Sequence, residues 1–197
     1  MDLFERIVVL DICPELLAVG EENARKSFTA EQFSKIAWVC MDINAEDIRK
    51  QLAPYLKNDL DRGFDTISFS YSLSMIPDWQ QALRSARSLM SDDGRVIISD
   101  FDTYSEAGNS IKDWVLKTWY RQDGVRIDAE SRRYMHHQVF GGNHFAVTMA
   151  RFQRKLCGVY IPHYVACCRK ETITMSDGKR RPSMLDLASM GEEKKTD

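Results

Sequence analysis

Short apolar runs alternate with helical patterns along the first half of the chain. The runs are rich in β-branched residues, as is typical of strands covered on both faces: "RIVVLDI" (residues 6–12), "IAWVCMDI" (36–43), "FDTISFSY" (64–71) and "RVIISDF" (95–101). Cys13-Pro14-Glu15 opens a helix after the first run, and Asp78 is a natural N-cap for the helix after the third. Alternating strands and helices predict an α/β, Rossmann-like fold with a mostly parallel sheet and flanking helices.

The pattern loosens after Phe101. Residues 109–124 are predicted to form a helix. Its two tryptophans, Trp114 and Trp119, fit either core packing or a binding surface. "QRKLCGVY" and "YVACCRKE" predict a C-terminal antiparallel hairpin that turns at Ile161-Pro162-His163. Residues 172–197 are polar and predict a disordered tail, so residues 1–171 form one domain.

Composition narrows the choice of partners. A formal net charge of −2 and a pI of about 6.1 leave no clustered basic surplus of the kind that binds duplex nucleic acid. Five cysteines without CxxC spacing indicate a reduced, cytoplasmic protein, and no stretch has the length and flanks of a signal peptide or membrane span. His136, His137 and His144 have no carboxylate at ligand spacing, so we expect no metal.

The tail carries one basic segment, "GKRRPS" (residues 178–183). Three interpretations stay open for it: a solvated linker, a phosphorylation site at Ser183, or a contact to anionic lipid.

Polar side chains follow each predicted strand at its carboxyl end. Asp11, Asp42 and Asp100 close three strands, and hydroxyls fill residues 70–74 after another. Ligands of open α/β sheets bind beyond the carboxyl ends of the strands, so these side chains predict a binding rim. The alternative is structural, because strand-ending carboxylates also cap the next helix and hydroxyls also satisfy loop backbone.

This succession of strands, helices and rim acids resembles a class I S-adenosylmethionine-dependent methyltransferase from its second strand onward. The resemblance implies that Asp11 takes the two ribose hydroxyls, to which a carboxylate offers two acceptor oxygens. It also implies that Asp42 takes the adenine amino group while Ile43 packs on the base. Cofactor contacts then extend to Ile12 and to the hydroxyls of Ser70 and Ser72.

A narrower resemblance comes from "FSYSLSMIPDW", "GRVIISDF" and "IPHYVACCRK". These runs look like the methyltransferase part of betaine-lipid synthases, which trimethylate the amino group of a diacylglyceryl-homoserine headgroup. The resemblance implies that Tyr71 orients the incoming amine as the catalytic residue, and that aromatic faces stabilise positive charge. It assigns substrate contacts to Trp79, Trp119, His163 and Tyr164, with His163 standing where the family usually has an aromatic residue.

The resemblance also implies a missing piece. The family's first strand and its glycine-rich cofactor loop have no counterpart before Ile7. In the family that strand lies between those formed here by residues 6–12 and 64–71. We therefore expect an N-terminally truncated relative that binds S-adenosylmethionine weakly; direct pairing of the two flanking strands, or a strand supplied by another chain or domain, are the alternatives.

Three functions are open at this point. The first is an N-methyltransferase acting on an amine-bearing lipid headgroup or small molecule, in peripheral contact with an internal membrane. The second is a non-catalytic remnant or regulatory partner that does not bind the cofactor. The third, a nucleotide-dependent oxidoreductase, is disfavoured because its glycine-rich phosphate loop is also absent.

Overall fold

The computed structural model describes residues 4–56, 63–141, 145–156 and 158–170. The tail predicted for residues 172–197, and His144, lie outside the described residues. The strands of the described part are β1 Ile7–Asp11, β2 Ile36–Cys40, β3 Phe64–Ser70, β4 Met90–Phe101, β5 Phe145–Leu156 and β6 Val159–Lys170. Its α-helices are α1 Pro14–Ser27, α2 Ala30–Ser34, α3 Ile48–Leu52, α4 Trp79–Leu89, α5 Ile111–Arg121 and α6 Glu130–Tyr134. Two 3₁₀ turns, Ala53–Leu56 and Leu73–Met75, and one π-helical turn, Met135–Val139, complete it.

The strands form two sheets. β1 and β2 pair in parallel, while the other sheet has the order β3-β4-β6-β5, with β3 and β4 parallel and the remaining pairs antiparallel. The predicted α/β architecture with flanking helices and a C-terminal antiparallel hairpin is confirmed. Among the described residues β1 and β3 do not pair with each other, so direct pairing of these two strands is wrong.

One apolar cluster joins the two sheets. Its buried members come from β2, α3 and α4, with Val39, Ile48 and Leu89 among them. Val8 of β1 and Ile67 of β3 both pack against this cluster. The sheets are therefore held together by side chains rather than by backbone hydrogen bonds.

The larger core lies between α4 and the four-stranded sheet. Helix α4 begins at its predicted N-cap, where Asp78 Oδ1 accepts a hydrogen bond from Gln81 N (3.2 Å). Ala82, Leu83 and Ala86 follow at helical spacing and are fully buried in this core. The predicted helix and its N-cap are therefore confirmed.

The hairpin turn lies elsewhere than predicted. β5 and β6 pair continuously from Phe145↔Lys170 to Leu156↔Val159, and Gly158 supplies the positive φ of 87° that this turn needs. The turn predicted at Ile161-Pro162-His163 is wrong, because these residues lie inside β6. Pro162 is tolerated there because it lies at the end of the β4–β6 ladder, just beyond the pair Phe101↔His163, and its carbonyl still accepts from Asp102 N (2.9 Å).

The segment "SDDG" (residues 91–94), whose composition is typical of a turn, lies within β4 as a local irregularity. Phe64 pairs with Met90 whereas Thr66 pairs with Arg95, so the residues between Met90 and Arg95 bulge out of the β3–β4 register. Continuous pairing of β3 with β4 begins at Arg95, the first residue of the run that the sequence predicts as a strand.

We expect Leu83→Ala to lower the free energy of unfolding by about 2–5 kcal/mol, because it leaves a cavity in a closely packed core. Urea unfolding followed by circular dichroism measures the change. Leu16→Ala is the matched control, since Leu16 is exposed on α1 and its truncation should change stability by less than about 0.5 kcal/mol. Equal effects of the two substitutions would contradict the described packing.

Candidate functional site

The carboxyl ends of the parallel strands lie on one side of the molecule. Met41 N donates to the Asp11 carbonyl (2.9 Å), which joins the ends of β1 and β2. Asn44 Nδ2, just after β2, donates to the Asp78 carbonyl (3.1 Å), at the start of the helix that follows β3. The two sheets therefore present their predicted rim residues along a common edge.

Both rim carboxylates make short backbone contacts. Asp11 is half-buried, and its Oδ1 accepts from Cys13 N (2.8 Å). Asp42 is exposed, and its Oδ1 accepts from Asn44 N (2.8 Å). Because each carboxylate oxygen has two lone pairs, this capping role is compatible with ligand binding.

The two isoleucines beside these acids differ in their surroundings. Ile12 is largely exposed at the rim. Ile43 is half-buried and packs against both apolar clusters of the parallel strands. A flat apolar ligand group could reach either side chain only from the rim.

Tyr71 is held in a sharp turn directly after β3. Its φ of 52° is left-handed, which is uncommon for a residue other than glycine, and its N–H donates to the Ser99 carbonyl (2.7 Å). The turn leaves Ser70 exposed and Ser72 half-buried, and the Ser72 carbonyl accepts from Met75 N (3.0 Å). The strained turn aims the Tyr71 ring towards the end of β4.

Asp100 holds the turn that follows Tyr71 in place through hydrogen bonds. Its carboxylate is buried and accepts hydrogen bonds from Ser74 N, Ser74 Oγ and Phe101 N, each at 2.8 Å. Burial raises the pKa of Asp100, although these hydrogen bonds oppose the change. Asp100, expected at the rim, therefore points into the core and positions the residues after Tyr71.

An aromatic cluster of five side chains lies at the end of β4. Phe101 occupies its centre, with ring centroids 5.2 Å from Tyr71, 5.3 Å from His163 and 4.9 Å from Tyr120. Phe152 stacks on His163 at 5.5 Å, and the Tyr71 ring meets His163 edge-on at 5.5 Å. The structure thus brings together the predicted Tyr71 and His163 and adds Phe101, Tyr120 and Phe152, for which the sequence gives no local signal.

His163 supplies the imidazole of the aromatic cluster. It is only 6% exposed, and its Nδ1 is buried without a hydrogen-bond partner among the described residues. Burial lowers the pKa of His163 and nearby Arg154 lowers it further, against smaller opposing effects of Asp100 and Asp102. The imidazole is therefore neutral at pH 7, with a nitrogen able to accept a proton.

Three other predicted substrate contacts lie outside the aromatic cluster. Tyr164 is buried on the opposite face of β6, where burial and then Asp100 raise its pKa. Trp79 is buried in the core, edge-on to Tyr134 (5.2 Å). Trp119 lies on the outer face of α5 and is 71% exposed.

The predicted histidine pair lies on the surface. His136 and His137 are exposed in the π-helical turn, with ring centroids 4.7 Å apart. Within the described ranges, no three His, Cys, Asp or Glu side chains are grouped so that they could hold a metal ion.

An ion-pair network behind the aromatic cluster was not foreseen from the sequence. Asp102 is fully buried, with one oxygen 2.7 Å from Arg132 Nε and the other 2.5 Å from Arg151 Nε. Glu106 bridges the same two arginines from the surface, and its pKa is lowered chiefly by the hydrogen bond from Arg132. The network ties β4, α6 and β5 together around the aromatic cluster.

We expect Asp102→Asn to lower the free energy of unfolding by about 3–5 kcal/mol, because it leaves two arginines without their buried counter-charge. Glu106→Gln removes a carboxylate from the same arginines but at a 74% exposed side chain, and should cost under about 1 kcal/mol. Chemical unfolding of both variants measures the difference. Equal losses would show that burial does not set the strength of this network.

Comparisons with known proteins agree with this geometry. The sequence profile of a methyltransferase domain matches residues 3–155. A relative from Nitrobacter hamburgensis, the ubiquinone/menaquinone biosynthesis C-methyltransferase UbiE, is 30% identical over 103 residues. That match covers 52% of this chain and 35% of the relative, so the chain spans about a third of the length of this relative.

Solved structures show the same fold at low identity. The YcgJ protein from Bacillus subtilis aligns with a TM-score of 0.61 at 11% identity, over 85% of this chain and 82% of that protein. An S-adenosylmethionine-dependent methyltransferase from Anabaena variabilis aligns with a TM-score of 0.56 at 15% identity, over 86% and 70%. The cyclase SpnF aligns with a TM-score of 0.54 at 13% identity, over 84% and 66%, so the fold alone does not decide the reaction.

The profile match covers most of the chain and includes every strand up to β5. This profile match therefore shows the family of the chain, whereas the solved structures show only that the fold is the same. The chain belongs to the family of class I S-adenosylmethionine-dependent methyltransferases.

Proposed function

We propose that this chain transfers a methyl group to an amine, of the kind carried by a diacylglyceryl-homoserine headgroup, at the surface of an internal membrane. The observation that carries the proposal is the aromatic cluster with its neutral His163 at the rim. Aromatic faces attract ammonium groups, and a neutral imidazole can accept a proton from one.

The rim residues suit the adenosyl part of the family's cofactor. Asp11 and Asp42 offer carboxylate oxygens from neighbouring strands, as a ribose diol and an adenine amino group require. Asn44 donates to Asp42 Oδ1 and to the Asp78 carbonyl, and its own Oδ1 is buried without a hydrogen-bond partner among the described residues, which favours a donating ligand there. When bound, S-adenosylmethionine supplies a methyl group on a positively charged sulfur.

The aromatic cluster supports the acceptor side of the reaction. An amine is protonated at pH 7 and must lose its proton before it can act as a nucleophile. His163 Nδ1 can take that proton, while the Tyr71 hydroxyl orients the nitrogen towards the rim. The faces of Phe101 and Phe152 then stabilise the methylated ammonium by about 0.5–2 kcal/mol.

The open edges of β1 and β3 support a further part of the proposal. Among the residues that the structure describes, neither strand has a partner on the side that faces the other sheet, and unpaired strand edges accept additional strands. We propose that a strand followed by a glycine-rich turn, from a preceding segment or another chain, completes the cofactor site. Without it, binding of S-adenosylmethionine is weak.

The separation of the two sheets also favours a second candidate function, a non-catalytic methyltransferase-like partner. Such a protein would keep the fold and the aromatic cluster but not bind the cofactor. Photo-crosslinking with labelled S-adenosylmethionine distinguishes the two functions, because it captures weak binding.

We expect crosslinking of the wild-type chain to be competed by S-adenosylhomocysteine, and Asp11→Asn to reduce labelling at least about tenfold, because an amide cannot accept both ribose hydroxyls as a carboxylate does. Asp92→Asn is the control, since Asp92 pairs with Lys170 near the amino end of β4. Equal labelling of the two variants would remove Asp11 from the site. No labelling of any form would favour the non-catalytic partner.

We expect His163→Phe to retain cofactor labelling and to lower kcat for methylation of diacylglyceryl-homoserine by about 10²–10⁴-fold, because phenylalanine stacks but accepts no proton. Burial lowers the pKa of His163 from that of a free imidazole, so the wild-type rate should fall as the pH drops through this lowered pKa, and the variant should lose this decline. His137→Phe on the surface is the control. An unchanged pH profile in His163→Phe would exclude the proton-accepting role.

A further inference from the structure

Helix α5 carries an exposed apolar face. Ile111 precedes Trp114 by three residues and Val115 by four, and Val115 precedes Trp119 by four, so these four side chains lie on one side of the helix. Ile111 is 84% exposed, Trp114 68% and Trp119 71%. We call these four residues the α5 apolar face. Such a concentration of exposed tryptophan and aliphatic surface marks an interaction site.

The opposite side of α5 packs on the protein. Leu116 is buried in a cluster with Ile127 and Ile161, against which Phe101 and Tyr120 also pack. The helix is thus apolar on both sides, although a surface helix needs only one apolar side for folding. The α5 apolar face is therefore surplus to the core.

The start of α5 is firmly anchored. Ser110 and Asp113 form a capping box, and Asp113 also accepts hydrogen bonds from Ser105 and from Tyr104 N. Burial opposes ionisation of Asp113, but the hydrogen bonds from Ser105 and Ser110 lower its pKa from 3.8 to about 2. Lys117 Nζ donates to the Gly108 carbonyl (2.6 Å). The exposed face is therefore a fixed surface and not the product of a frayed segment.

The exposed charges of helix α5 itself are basic. Lys112 and Arg121 are exposed, while the acidic residue of the helix, Asp113, is buried on the other side; the exposed Asp123 lies two residues beyond the end of the helix. Arg154 of β5 is exposed and pairs with Ile161, which packs against Leu116 of α5. Apolar side chains bordered by cations match a surface with negative charge above an apolar layer.

We infer that the α5 apolar face docks on an anionic lipid surface. Tryptophan is enriched at the boundary between headgroups and acyl chains, and Lys or Arg at the rim of an interfacial helix pairs with lipid phosphates. A second copy of the chain fits less well. A two-fold contact would place Lys112 and Arg121 of one copy near those of the other.

Docking through α5 brings a lipid headgroup close to the aromatic cluster. Tyr120 on the inner side of α5 belongs to that cluster, and a helix with its side chains is about 10–12 Å across. The inference locates the membrane contact that the proposed function requires. It can be tested without methyl transfer, so the two can fail separately.

We expect the full chain to sediment with vesicles of phosphatidylcholine and phosphatidylglycerol, and not with vesicles of phosphatidylcholine alone. Trp114→Gln with Trp119→Gln should abolish sedimentation. Lys112→Gln with Arg121→Gln should lower partitioning about 25-fold, since each basic residue near an anionic surface contributes about fivefold. The matched control is Leu16→Gln with Val19→Gln, which removes apolar side chains exposed on α1 and should leave partitioning unchanged.

The variants are compared by circular dichroism to confirm that they fold, and the tail is common to all of them. Sedimentation of the Trp114→Gln, Trp119→Gln protein at the wild-type level would overturn the inference. Equal binding to neutral and anionic vesicles would overturn it as well. So would a concentration-dependent dimer in the absence of lipid that these two substitutions abolish, because the face would then be covered by a second copy.

Discussion

The parallel pairing of β3 with β4 determines where the site can form. Its last link is the hydrogen bond from Tyr71 N to the Ser99 carbonyl, which carries the β3 chain past the end of the strand in a left-handed turn. The turn costs about 1–3 kcal/mol and persists because the surroundings hold it. Directly after it, Ser74 is fixed by two hydrogen bonds to buried Asp100. The Tyr71 ring is thereby placed against Phe101, and every contact proposed for the acceptor follows from that placement.

Sequence patterns predicted the features that depend on neighbouring residues. The apolar runs of the parallel strands, the Pro14 and Asp78 helix starts and the acids at the strand ends were all visible locally, since each depends on a few consecutive positions. The hairpin turn was misplaced because Pro162 looks like a breaker, whereas its harmless position depends on where β4 stops. Phe152 joins His163 only through the β5–β6 register, and Arg132 and Arg151 meet Asp102 only in the folded chain. No local pattern carries such contacts.

The arrangement of the two sheets likewise depends on contacts between residues that are distant in sequence. The strands of both sheets were predicted from local sequence. The way in which the two sheets meet was not, because Val8 and Ile67 pack against a shared apolar cluster while, in the described residues, no hydrogen-bonded ladder joins β1 to β3. Packing of this kind tolerates sliding better than a ladder, since apolar contacts are not directional. The proposed cofactor side of the rim is therefore joined to the proposed acceptor side by side-chain packing, whereas β3, β4, β6 and β5 form one continuous sheet.

The protonation state of His163, at the proposed acceptor side, also depends on how helix α5 shields the aromatic cluster from solvent. A neutral His163 requires that the aromatic cluster stay poorly hydrated, since burial is the main cause of its lowered pKa. Tyr120 and Leu116 cover that region from the inner side of α5, while the α5 apolar face meets solvent. A lipid surface on that outer face would remove water from around the helix, which favours the uncharged imidazole, whereas the negative charge of that surface would favour the protonated form. The same helix would then join membrane contact to the protonation state of the residue proposed to accept the proton.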